Sequence, residues 1–398
     1  ARHGTRKRRV ILSGFYGAGN AGDELILRSL LGAIESGTTG FKAVVAGENP
    51  LAVLREHGVS AFKRTDMARA QAEISAATAL VLGGGGLWHD YTFTRAGGLT
   101  GLFSDNAMSV TGYSKLPLLA RMLGHPFHVF GLGVGPLTDP DARRYVRFLA
   151  DQAASLTVRD PASSALLQGI PGWRAPVDTR PDPVYALDLP DKSTKEVFAG
   201  LPSGVPVLGV NLRPWDGDGD AAVAARIARA LELIHAQCGC CLAGLPLQPS
   251  VDSAMIEKVF AQLSPQIPRL MWSPAGDVAW ESIVHWIASC HVVLGMRLHA
   301  CILAQRAGVP VVGLAYDPKV AAAFDQTGEP DRALPLDSPA PAIAATVVRA
   351  LCEVPASAEA RRAKVGSLES QAREGLARLR ERLEQASPVH SPLLLGPA

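Results

Sequence analysis

Arg297 and His299, in the second half of the chain, have the types and spacing to act on an anion. They lie in Leu294-Gly-Met-Arg297-Leu-His299-Ala-Cys-Ile-Leu-Ala-Gln-Arg306, where an apolar run reads as a strand and gives way to a helical pattern. A helix amino end gathers free N–H groups and the positive end of the dipole, which suits a phosphate or a carboxylate. His299 could then act as a general acid near neutral pH. A surface arginine beside a core histidine is the alternative reading. The next strand ends in Tyr316-Asp317-Pro318-Lys319 and brings polar groups to the same edge. Arg159 and Arg213 each follow a strand-like run, and a guanidinium offers phosphates and carboxylates a two-pronged fork.

The first half supplies glycine. Gly14-Phe-Tyr-Gly17-Ala-Gly19-Asn20-Ala-Gly22-Asp23-Glu24 joins a strand to a helix. Gly17, Gly19 and Gly22 match the spacing of the dinucleotide fingerprint, with Glu48 placed to serve as the ribose acid. Asp23 and Glu24 would occupy the first helical turn and repel a pyrophosphate, so a sugar- or anion-contacting loop or a capped helix start fits better. A second loop reads Gly83-Gly84-Gly85-Gly86-Leu-Trp88-His89-Asp90-Tyr91. Four glycines permit close backbone approach, Trp88 and Tyr91 could stack on a sugar face, and Asp90 could accept from its hydroxyls. A tight strand–helix crossing with a satisfied His89 is the alternative, and the entropic cost of four glycines favours a ligand. No His/Cys/Asp cluster at metal spacing is expected, and no cofactor.

The elements that would position these residues alternate between short apolar runs and helical patterns, which predicts parallel sheets built from βαβ units. Expected strands are Val10–Gly14, Ala43–Ala46, Ala79–Gly83, Phe127–Gly131, Leu156–Arg159, Val207–Asn211, Cys241–Leu245, Val292–Gly295 and Val309–Leu314. Leu187–Val205 reads as a linker, and a terminal helix is expected over Ala358–Gln385 with a loose tail beyond. The expectation is an N-terminal Rossmann-like domain (1–188), a C-terminal one carrying the Arg-x-His segment (206–355) and a terminal helix and tail (356–398). Two doubly wound domains facing a cleft would hold ligands at the carboxyl ends of their strands.

The 398 residues carry 39 Lys and Arg against 37 Asp and Glu, a balance that gives no argument for nucleic acid as partner. The exception is Arg2, Arg6, Lys7, Arg8 and Arg9, a solvated leader or a weak contact with anionic lipid. This start runs directly into a core-strand pattern, so no signal peptide is expected. No stretch reads as a membrane helix, the best candidate, Leu116 to Leu137, being interrupted by charge and proline. Six cysteines read as reduced, mostly buried residues, which suits the cytoplasm.

Nine segments occur in order: Gly19-Asn-Ala-Gly-Asp-Glu24, Gly83–Asp90, Gly131-Leu-Gly-Val-Gly-Pro136, Val158-Arg-Asp160, Asp182-Pro-Val184, Asn211-Leu-Arg-Pro-Trp215, Pro246-Leu-Gln-Pro249 with Asp252, Met296-Arg-Leu-His299 and Tyr316-Asp-Pro-Lys319. Together they resemble the polysaccharide pyruvyl transferases, most closely the CsaB type, over roughly residues 10 to 330. The resemblance implies a glycosyltransferase-B-like fold and transfer of a pyruvyl group from phosphoenolpyruvate to a sugar. In that branch the acceptor is N-acetylmannosamine in a lipid-linked precursor of a secondary cell-wall polymer, and the product is a 4,6-ketal that S-layer-homology domains recognise. On this expectation Arg159, Arg213, Arg297 and Lys319 hold the donor, and His299 is the acid. Asp90, Asp23 or Asp182 is the base, and Gly19, Asn20, Asp23, Glu24, Gly84, Gly85, Trp88 and Tyr91 belong to the acceptor loops. The alternative is a glycosyltransferase that uses a nucleotide sugar.

Overall fold

The computed structural model describes residues 8–35, 40–104, 108–189, 197–215, 219–274 and 279–386. The chain divides into two compact units, the first made of Ala1–Ala18, Asp23–Leu187 and Ser370–Ala398, the second of Gly19–Gly22 and Asp188–Glu369.

The first unit is built on seven strands, β1 (Arg8–Ser13), β2 (Phe41–Gly47), β3 (Ala61–Lys63), β4 (Ala79–Gly83), β5 (Phe127–Leu132), β6 (Ser155–Val158) and β7 (Asp178–Thr179). They pair in parallel in the order β3-β2-β1-β4-β5-β6-β7. Helices α1 (Ala21–Glu35), α2 (Pro50–His57), α3 (Met67–Ser75), α4 (Val110–Met122), α5 (Pro140–Gln152) and α6 (Pro161–Gln168) make the crossovers. Central strands such as β1, with Val10, Ile11 and Leu12 fully buried, are apolar on both faces because helices cover both.

The second unit repeats the plan with β8 (Val207–Asn211), β9 (Cys241–Gly244), β10 (Arg269–Met271), β11 (Val292–Gly295), β12 (Val311–Ala315) and β13 (Ala333–Pro335), in the order β10-β9-β8-β11-β12-β13. Its helices are α7 (Asp220–Cys238), α8 (Pro249–Phe260), α9 (Ala279–Ser289), α10 (Leu298–Arg306), α11 (Pro318–Thr327) and α12 (Ala340–Leu351). In each sheet the strand order reverses once, between β1 and β4 and between β8 and β11. Ligands of doubly wound sheets bind at the carboxyl ends of the strands beside such a reversal.

Several motif aspartates start helices. Asp139, Asp160 and Asp317 each precede a proline at the first helical position and accept backbone N–H groups of α5, α6 and α11. The four strands not anticipated, β3, β7, β10 and β13, are two or three residues long and lie toward the sheet edges, where burial demands little apolar sequence. The terminal helix, α13 (Pro355–Gln385), belongs with the second unit up to Glu369 and with the first from Ser370. The linker expectation brackets the division at Leu187, and its residues 190–196 lie outside the described ones.

Arg8 donates to the carbonyl oxygens of Leu383, Glu384 and Ala386, and Arg9 pairs with Glu73 at 3.0 Å. These two arginines are engaged within the first unit, while Arg2, Arg6 and Lys7 lie outside the described residues. Among the described residues no helix is long and apolar enough to cross a membrane. All six cysteines are free, and burial pushes the Cys240 and Cys301 thiols up to about 12.

His128 on β5 gives the first unit a pH signature. Burial, with the Arg382 guanidinium as a second cause, lowers its pKa from 6.5 to about 4. The fold holds the neutral ring, while the unfolded chain takes up a proton below about pH 6.5. The ring's contribution is complete above that pH and is lost as pH falls toward 4. Between pH 7 and 4.5 we expect stability to drop by about 2–3 kcal/mol from this group. His128→Leu should remove that part of the slope, as read by urea unfolding at both pH values.

Candidate active site

At the reversal of the second sheet, β8 ends in Asn211 and leads to Arg213, while β11 ends in Gly295 and leads to Arg297 and His299 at the start of α10. Arg213 is half-buried against two aromatic rings, its guanidinium carbon 5.6 Å from the Trp215 centroid and 5.3 Å from that of Tyr316. Its hydrogen bonds go to the Pro214 carbonyl at 3.2 Å and the Tyr316 hydroxyl at 3.4 Å. No carboxylate pairs with it among the described residues.

Arg297 is placed otherwise than expected. Its Nε and Nη2 donate to the Asp252 carboxylate at 2.7 and 2.6 Å, and Nη2 also donates to Gln248 Oε1 at 2.9 Å. The expected two-pronged fork is thus taken up inside the protein, leaving the Nη1 end for a ligand. Lys319 corrects the expectation in the same way: its ammonium pairs with Asp317 at 2.9 Å and lies 5.2 Å from the Tyr316 ring centroid.

His299 is buried at the second position of α10. A Cβ placed on Gly22 would collide with its imidazole ring, so only glycine admits this arrangement. Within the segment 19–22 that clusters with the second unit, Ala21 donates to the Leu247 carbonyl at 2.8 Å and Gly22 N–H to Asn20 Oδ1 at 3.2 Å. These two N–H groups at the start of α1 are thus engaged by the protein. Gly19 has φ +70° with open space around its Cβ position, so it is a conformational glycine.

In the first unit the glycines of the 83–86 loop mostly serve packing. A Cβ on Gly84 would strike Ile26, and one on Gly85 would sit 2.7 Å from Asp23 Oδ1. The strand–helix crossing is the better account of these two. Gly86 is exposed and its Cβ position is open. Trp88 is 1% exposed, its carbonyl accepting from Gly135 N–H at 2.8 Å, so it cannot stack on a sugar face. Tyr91, 44% exposed, can. Asp90 Oδ2 accepts from the Thr138 hydroxyl and from the N–H groups of Thr138 and Asp139, and so holds that loop.

Glu24 is also a correction. Its oxygens accept Gly17 N–H at 2.7 Å and meet His57 Nε2 at 2.9 Å, so it ties the first loop to α2 and leaves no group for an acceptor. Glu24, Glu56 and His57 form a cluster with ligand atoms within 4.8 Å of one another, which the sequence spacing did not suggest. Glu48, considered for a ribose, pairs with Arg64. Arg159, expected to hold the donor, lies buried in the first unit between Asp160 at 3.6 Å and Asp182 at 3.3 Å, and these carboxylates take up its charge. Asp23, Glu24 and Asp182 all face Tyr16, whose hydroxyl donates to the Gly83 carbonyl; burial first, then these carboxylates, raise its pKa well above the ordinary tyrosine value.

Comparison with known proteins decides the assignment. The sequence profile described as polysaccharide pyruvyl transferase matches residues 20–318, three quarters of the chain. The chain belongs to the polysaccharide pyruvyl transferase family. It is therefore a transferase. No curated protein matches it in sequence. Among solved structures it is similar to a glycosyltransferase from Rickettsia africae ESF-5, at 10% identity, TM-score 0.60, covering 96% of this chain and 99% of that one. It is also similar to a UDP-GlcNAc 2-epimerase from Neisseria meningitidis bound to UDP-GlcNAc, at 13% identity, TM-score 0.58, covering 94% and 100%. A third is the sucrose-phosphate synthase of Thermosynechococcus elongatus, at 14% identity, TM-score 0.56, covering 96% and 100%. At these identities the likeness shows the fold, a glycosyltransferase-B-like pair of Rossmann-like domains, and nothing of the substrate.

In this pyruvyl transferase the structure gathers Arg213, Arg297 and His299 at the reversal of the second sheet, while Arg159 belongs to the first unit. The structure adds Asn211, Gln248, Asp252 and Trp215, which the sequence shows only as members of its motifs, and Tyr316, expected only as a polar group at the strand edge. Trp215 and Tyr316 are 101 positions apart, and only the alignment of β8 and β12 ends brings their rings to 4.6 Å.

Proposed function

We propose that this protein transfers the pyruvyl group of phosphoenolpyruvate to N-acetylmannosamine in a lipid-linked precursor of a secondary cell-wall polymer, as in the CsaB type, forming a 4,6-ketal and releasing phosphate. The observation that carries the donor reading is Arg213: a half-buried guanidinium held by two rings and paired with no carboxylate among the described residues. Such a cation is strongly favoured by an anionic ligand. Arg297, two residues before His299, supports the same reading through its Nη1 end.

The chemistry follows from the donor. One sugar hydroxyl adds to C2 of the enol while C3 takes a proton, giving a methyl group and a phosphate-bearing tetrahedral carbon. The second hydroxyl then takes the place of phosphate at C2, and inorganic phosphate leaves with the C2–O electron pair. The two hydroxyl protons lost balance the proton gained at C3 and the one carried off by phosphate. We assign the proton delivery to His299, which stands at the start of α10 two residues after Arg297. For taking the attacking hydroxyl's proton we favour Asp23, because Asp182 is held by Arg159 and Asp90 by the 138–139 loop. Tyr91 and the open edge at Gly86 suit the acceptor sugar. Phosphoenolpyruvate is a cytoplasmic metabolite, so the reading places the reaction in the cytoplasm, at the inner membrane face where a lipid-linked acceptor is reached.

The test is incubation of the protein with phosphoenolpyruvate and a lipid-linked ManNAc-GlcNAc acceptor, following phosphate release and the mass of the glycan. We expect acceptor-dependent phosphate release and one pyruvyl added per glycan. Release of a nucleoside diphosphate from a nucleotide sugar, with phosphoenolpyruvate untouched, would establish the glycosyltransferase alternative instead.

A further inference from the structure

We propose that Asp252, assisted by Gln248 and Asn211, is a positioning residue that fixes which edge of Arg297 is presented to the donor; this rests on the donor reading above. Asp252, in the first turn of α8, is 0% exposed. Its Oδ2 receives Arg297 Nε at 2.7 Å and the Gln248 N–H at 2.9 Å, and its Oδ1 receives Arg297 Nη2 at 2.6 Å. Gln248 Oε1 takes Nη2 as well. Asn211, at the end of β8, accepts the Arg297 backbone N–H on Oδ1 at 2.8 Å and donates Nδ2 to the Leu245 carbonyl at 2.8 Å. Main chain and side chain of Arg297 are thus both fixed, from the ends of β8 and β9.

Stability alone gives no reason for this construction. Desolvating a carboxylate and a guanidinium largely offsets their attraction, and an apolar pair of similar volume commonly holds a fold as well. What the pair supplies is direction. Nε–H and both Nη2 hydrogens are taken, so the guanidinium cannot swivel, and Nη1 alone points to a ligand. The two charges also compensate, so Arg213 carries the excess positive charge and Arg297 acts as an aimed donor. Without the carboxylate the guanidinium would keep its charge and lose its aim.

The test compares wild type, Asp252→Asn, Arg297→Lys and the double variant in the full-length chain, reading kcat and KM separately. We expect Asp252→Asn to raise the KM for phosphoenolpyruvate at least about tenfold, with the acceptor KM unchanged, and the double variant to be no worse than the weaker single one. Losses that add, or an unchanged donor KM in folded Asp252→Asn protein, overturn the proposal. If Asp252→Asn does not fold, Gln248→Ala removes one acceptor of Nη2 and should raise the donor KM about threefold; no change there overturns it equally. If wild-type protein neither turns over phosphoenolpyruvate nor binds inorganic phosphate, the donor reading fails. The network is then judged by the Arg297 Nε–H signal in nitrogen-15 spectra: protected from exchange in wild type and exposed in Asp252→Asn if Asp252 holds it, protected in both if it does not.

Discussion

His299→Ala lowers turnover of phosphoenolpyruvate by about 100-fold or more, the usual share of a general acid, while binding the donor nearly as well as wild type. Single-turnover kinetics with calorimetry of donor binding separates the two quantities. In D2O the wild-type product should carry deuterium in the ketal methyl, and its rate should fall with the slowed proton transfer. A histidine of purely structural service would lower stability and leave activity per folded molecule unchanged, which would remove His299 from the mechanism. Gly22→Ala is the companion variant. It changes no group that does chemistry, yet its new methyl must push the imidazole aside. Misplacement by about 1 Å can cost as much as 100-fold, so we expect a loss of about 10- to 100-fold in kcat.

Arg213→Met weakens donor binding by about 1.5–3 kcal/mol, a rise in Kd of roughly 10- to 150-fold, because the charge-assisted contact disappears while an apolar stem still packs against Trp215 and Tyr316. Arg213→Lys should recover only part of it, since an ammonium lacks the fork and the flat face that stacks on the rings. Calorimetric titration with phosphoenolpyruvate checks both. Equal affinity in wild type and Arg213→Met would place the anion elsewhere.

The sequence was most legible where burial leaves a simple pattern. Central strands such as Ala79–Gly83, Val207–Asn211 and Val292–Gly295 stand where their apolar runs end, because both faces are covered and every position is constrained. The helix that begins after Arg297 was equally plain. Partnership was not legible. Arg159, Arg213 and Arg297 look alike in sequence, each following a strand, yet one is committed to Asp160 and Asp182, one to Asp252, and one to aromatic rings. The partners lie up to 103 residues away, and pattern at short range carries no trace of them. Glycine misled for a related reason. Four in a row suggested space for a ligand, whereas two of them make space for Ile26 and Asp23.

That crossing of β4 over α1 also bears on how such a sequence can drift. At Gly83 a Cβ would meet Leu30 at 2.5 Å, and at Gly84 it would strike Ile26. A larger residue at Gly83 needs Leu30 trimmed and the Tyr16 hydroxyl moved, and at Gly84 a φ of +60° adds strain that trimming Ile26 does not relieve. Trimming first leaves a void costing about 2–5 kcal/mol. Either order of change passes through a damaged intermediate, so the two elements are bound to vary together or not at all. Gly86, with an ordinary φ and nothing near its Cβ position, is under no such bond. Within one short run, buried glycines closed to gradual change stand directly beside an exposed one that is open to it.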